Sequence, residues 1–78
     1  MKKKQEYING ARTVRSFSKL NLIILFFYNK ETKLFVVEVR STITDEIKSA
    51  DYFLPNEFII AKKLYLQKDA ELLFLHNY

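Results

Sequence analysis

The sequence predicts a small α+β fold: an antiparallel sheet built on a central β-hairpin, with short helices beside it. Three observations lead there. Two apolar runs rich in β-branched and aromatic residues, Leu22–Tyr28 and Leu34–Val39, flank one polar interruption. The rhythm then changes to a helical spacing after Ser41. The chain has only 78 residues, enough for one core and one domain.

The hairpin comes first, with strands expected at about 20–28 and 33–40. Asn29-Lys30-Glu31-Thr32 suits a four-residue loop, since such loops are commonly built on a type I turn and Asn tolerates left-handed conformations. That loop pairs Tyr28 with Lys33, Phe26 with Phe35 and Ile24 with Val37. Side chains alternate along a strand, so one face carries Leu20, Leu22, Ile24, Phe26, Phe35, Val37 and Val39. The other carries Ile23, Leu25, Phe27, Leu34 and Val36, with Glu38, Arg40 and Asn21 toward its open end. A sheet covered on one side only shows polar residues on its wet face. The second face is therefore expected to be buried by another copy or by a partner protein, making Ile23, Leu25, Phe27, Leu34 and Val36 the candidate protein interface; the alternative is that the C-terminal elements of the same chain wrap both faces.

Downstream, Ile43, Ile47, Ala50 and Leu54 recur at the spacing of one helix face, predicting a short helix over about 44–53. Thr44 would cap it, with Asp45 and Glu46 at the positive end of its dipole. Pro55 disfavours helical angles at Leu54 and so ends it. Asn56 can cap a second helix over about 56–63. Lys62, Lys63 and Gln67 break the apolar face beyond that, and alternation at Leu72–Leu75 predicts a final strand over about 71–76.

Charge is unevenly placed. Residues 1–19 hold six cations, Lys2, Lys3, Lys4, Arg12, Arg15 and Lys19, against Glu6 alone, a net +5; the remaining seven cations and eight acids net −1. A near-neutral body with a basic N-terminal arm, about 1–12, is the electrostatic footprint of contact with phosphate, in nucleic acid or anionic lipid. Tyr7 and Phe17 stand among those cations, where aromatic rings can stack on bases.

Several classes are set aside. The longest apolar run near the hairpin, Leu22–Tyr28, is seven residues, against the roughly 20 that a spanning helix needs. Gln5–Lys19 is too polar for a signal peptide's apolar region, so a cytoplasmic location is expected. The chain has no Cys, which excludes disulfides and Cys-ligated metal. Val36-Val37-Glu38-Val39-Arg40 resembles the strand of PD-(D/E)xK nucleases, where an acid and a base two apart enter a metal site. That site also needs an upstream acidic metal ligand; no Asp precedes Asp45, and Glu6 and Glu31 lie in the arm and in the turn, while Arg stays protonated and cannot act as a base. The better reading of Glu38 and Arg40 is an exposed cross-strand charge pair. Asp45, Glu46 and Asp51 lack the spacing and Gly of a calcium loop. His76, the one histidine, reads as a terminal surface residue. No catalytic residue, metal or cofactor is therefore expected.

Leu54–Leu75, "LPNEFIIAKKLYLQKDAELLFL", resembles the second half of an AbrB-type DNA-binding domain, in which Pro-x-Glu, a short helix and a charged turn lead into a final strand. Tyr65 stands where that family usually has Gly, and the hairpin is foreign to its swapped barrel, so the family is not adopted.

The expected function is that of a small non-enzymatic binding or regulatory protein. It self-associates, with a homodimer the expected state, and contacts nucleic acid through Lys2, Lys3, Lys4, Arg12, Arg15 and Lys19. The alternative is a protein–protein adaptor or inhibitor, as in phages and mobile elements, acting through a sheet edge or the second hairpin face.

Overall fold

The computed structural model describes residues 11–78, with side chains from Thr13 onward. Four strands, β1 (Ala11–Phe17), β2 (Leu22–Asn29), β3 (Leu34–Ser41) and β4 (Ile47–Phe53), form an antiparallel meander in the order β1-β2-β3-β4. One helix, α1 (Phe58–Asn77), packs on one face of that sheet. The fold is α+β, as the sequence implies.

The central hairpin forms, with its loop one residue later than expected. Asn29 pairs with Leu34, Tyr28 with Phe35, Phe26 with Val37 and Ile24 with Val39. Lys33 rather than Asn takes the left-handed conformation, at φ 60°, and its N–H donates to the Asn29 carbonyl at 2.7 Å. Asn29 Oδ1 meanwhile accepts from the Glu31 N–H at 2.9 Å. Moving both loop ends by one residue slips the pairing by two, and a slip of two leaves every side chain on its expected face.

Three elements overturn the sequence reading. The helix expected over 44–53 is the edge strand β4, which pairs Val37 with Asp51 and Phe35 with Phe53. Thr44 is no cap: its Oγ1 accepts from the Glu46 N–H at 3.3 Å inside the β3–β4 loop. The second helix and the strand over 71–76 are one continuous helix, α1, and the AbrB-like strand–helix–strand order is absent with them. Ala11–Phe17 is a strand whose start overlaps the expected arm, and residues 1–10 lie outside the described residues.

Helix α1 starts where local chemistry directs it. Leu54 N–H donates to Glu57 Oε1 at 2.8 Å while the Leu54 carbonyl accepts from the Glu57 N–H at 2.8 Å, a reciprocal arrangement that satisfies groups at the helix entrance. A run of good helix formers with no Gly or Pro then carries it for 20 residues, about 30 Å. Its inner face sets Ala61 and Tyr65 against Phe17, Ile24, Phe26, Val37 and Val39. Rings knit the seam: Phe26 lies 5.5 Å from Tyr65 and 5.9 Å from Phe58, centroid to centroid. Full burial of aliphatic side chains such as Ile24 and Val37 stabilises by roughly 1.5–3 kcal/mol each.

Candidate functional site

The basic segment is only partly in view. Lys2, Lys3 and Lys4 lie outside the described residues, and Arg12 is in β1 with its side chain not described. Lys19 is exposed, on the single 3-10 turn that joins β1 to β2. Arg15 points to the helix side of the sheet, where its Nε lies 2.8 Å from Asp69 Oδ1. Phe17, read as a candidate base-stacking ring, is 1 % exposed and belongs to the core.

On the second sheet face, Leu25, Phe27 and Val36 form their own buried cluster, with Val14 and Ile23 packed against it. Leu25 is 1 %, Val36 2 % and Phe27 8 % exposed within the single chain. Ile23 and Leu34 are half-buried. The premise that one chain leaves this face wet is therefore not met. Two strands that the sequence reading did not contain widen the sheet on either side, and β1 brings Val14 directly opposite Leu25.

Glu38 and Arg40 share that face, but not as an exposed cross-strand pair. They are neighbours along β3, Glu38 is 6 % exposed, and Arg40 Nε lies 3.0 Å from Glu38 Oε1. Arg40 Nη1 also reaches Asp45 Oδ1 at 3.4 Å. Among the described residues, no three His, Asp or Glu side chains come together as a metal site requires. His76 is half-buried and meets the Phe17 ring edge-on at 5.8 Å.

The feature that sequence reading missed is the outward side of α1. Ile59, Ile60, Leu66, Phe74 and Leu75 are each more than half exposed, as is Tyr78 at the helix end. A helix that packs one face on a sheet ordinarily shows water a polar face. Here large apolar side chains stand on both sides. Two shallow hollows of about 400 and 500 Å³ flank Phe74, one lined by Leu73 and Asn77, the other by Glu71 and Leu75, with Ala70 between them. A third groove, about 250 Å³, lies between β1 and α1, with Thr13, Phe26 and Tyr65 in its wall and Lys62 beside them.

Tyr65 sits at the inner edge of that groove. Burial, and next the Asp69 carboxylate, push its phenol above the ordinary value of 10.0, opposed by a hydrogen bond with Thr13 and by the Arg15 charge. No described helix is long and apolar enough to cross a membrane.

No protein-family model, no curated protein and no solved structure matches this chain significantly. The functional reading therefore rests on the surface chemistry alone.

Proposed function

We propose that this chain is a small non-enzymatic binding or regulatory protein that acts by contact with another macromolecule, through the outward face of α1. The observation that carries the reading is the exposure of Ile60 at 56 % and Phe74 at 67 % on a helix whose other side is already packed. Exposed apolar surface gathered on one element marks a place that a protein surface covers. A photoreactive phenylalanine analogue in place of Phe74, in the full chain, tests this. Illumination is expected to give discrete protein adducts, which Ile60→Asp suppresses; an absence of any adduct overturns the reading.

A second reading is nucleic-acid contact through Lys2, Lys3, Lys4, Arg12, Arg15 and Lys19. It is supported by the net +5 of residues 1–19 and by the exposure of Lys19. Binding to phosphate releases counterions, so affinity is expected to fall steeply with salt. A mobility-shift titration of the wild type against a variant with Lys2, Lys3, Lys4, Arg12 and Arg15 replaced by Ala measures it. Unchanged binding by the variant, or none by the wild type, overturns this second reading.

A further inference from the structure

The outward face of α1 has an internal symmetry. Ile60, Lys63, Gln67, Glu71, Phe74 and Tyr78 follow one another at spacings of three or four, so they share one side of the helix, and all six are exposed. Gln67 is the midpoint. Ile60 stands seven residues before it and Phe74 seven after; Lys63 stands four before it and Glu71 four after.

We infer that the partner of this face is a second copy of the same chain, with the two α1 helices antiparallel and the twofold axis passing Gln67. This rests on the reading of the outward helix face as a contact surface. In that arrangement Ile60 of each copy meets Phe74 of the other, at the hollows beside that ring. Lys63 of each meets Glu71 of the other, and Gln67 meets Gln67. A twofold contact is isologous, so each matched pair occurs twice. The parallel alternative sets Lys63 on Lys63 and Glu71 on Glu71, which like-charge repulsion opposes. The charge order along the helix therefore sets the direction of the pair, and its self-complementarity about Gln67 is the argument for a second copy as the occupant. Within the single chain Gln67 Nε2 donates to Glu71 Oε2 at 3.5 Å, an exposed contact on the same face that holds the Glu71 carboxylate beside the dyad; Lys68 and Asp69, turned toward the sheet, pair with Asp51 at 4.0 Å and Arg15 at 2.8 Å and take no part.

Light scattering and sedimentation of the purified full chain across a concentration series test the inference. The wild type is expected to show a monomer–dimer equilibrium. Lys63→Glu and Glu71→Lys are each expected to weaken it about tenfold, because each sets like charges together at two places per dimer, and the double variant K63E/E71K to return close to wild type. The chain has no cysteine, so direction is read by cross-linking: Lys63→Cys mixed with Glu71→Cys is expected to give a mixed disulfide dimer, with little from either alone. These positions are exposed, and circular dichroism checks that each variant keeps its helix. A chain that stays monomeric, or that cross-links like position to like position, overturns the antiparallel pair. Should the position-74 adducts be only to a different protein, or the chain instead bind anionic vesicles, the second-copy inference fails; in the first case the contact-surface reading stands, in the second it fails too.

Discussion

Arg15 Nε lies 2.8 Å from Asp69 Oδ1, joining the first strand of the sheet to the middle of the helix that covers it. The next residue back along the helix, Lys68, reaches Asp51 on the opposite edge strand at 4.0 Å. Consecutive helix residues thus hold both margins of the sheet. The arrangement also withdraws one cation from the basic segment.

Because the Arg15 side chain is about half exposed, solvent screens this pair. A double-mutant cycle over Arg15→Ala and Asp69→Asn is expected to return a coupling of about 0.5–1 kcal/mol, measured by urea denaturation. Asp69→Asn alone also frees the guanidinium. If the basic segment meets nucleic acid, that single change is expected to raise affinity at low salt in the mobility-shift titration.

Tyr65 gives a pH signature. Its phenol is raised in the folded state, so below about pH 10 both folded and unfolded chains keep the proton and stability is unaffected. Above that, the unfolded chain loses its proton first, and stability falls until pH passes the folded value. Tyr65→Phe is expected to flatten this alkaline decline in thermal melts between pH 8 and about 11.

Lys33 holds φ at 60° without being glycine. A left-handed residue with a Cβ is disfavoured by about 1 kcal/mol, so Lys33→Gly is expected to stabilise the hairpin by about 0.5–1 kcal/mol. A change of the same size at Lys30, also in the loop but without a positive φ, is expected to destabilise. Denaturant midpoints of the two variants separate the cases.

Glu38 is buried on the second sheet face with Arg40 Nε at 3.0 Å. Arg40→Met removes the partner and leaves a carboxylate in poor surroundings, an expected loss of about 1–3 kcal/mol, reduced because Arg40 itself keeps some solvent access. Glu38→Gln in the Arg40→Met background is expected to recover part of that loss. Chemical denaturation of both variants checks it.

How much of this was legible depended on where each segment found its partners. The hairpin was readable because Ile24, Phe26, Val37 and Val39 are strand formers whose partners lie close in sequence, across a loop with a recognisable Asn. Its faces survived a misplaced loop because a slip of two preserves the alternation. β4 was misread because Ile47, Ala50 and Leu54 happen to fall at helical spacing, while Lys48 and Ser49 carry no strand signal. An edge strand takes its conformation from the ladder beside it, and tertiary context overrides such weak local preferences. α1 was broken into pieces for a different reason: Ile59, Leu66 and Phe74 on its outer face erase the contrast by which an amphipathic helix is recognised. The same residues make the candidate site, so what hid the helix also marks the surface.

By itself, then, the sequence determined the class of the fold, the central hairpin, the sorting of its two faces and the concentration of positive charge in residues 1–19. Those properties follow from local alternation and composition. Only the tertiary structure decided that 47–53 extends, that 58–77 coils as one piece, that Arg15 faces Asp69, and that Leu25 and Val36 leave solvent within one chain. Each of these depends on contacts between residues far apart in sequence, whose free energy outweighs the fractions of a kcal/mol that separate local conformations.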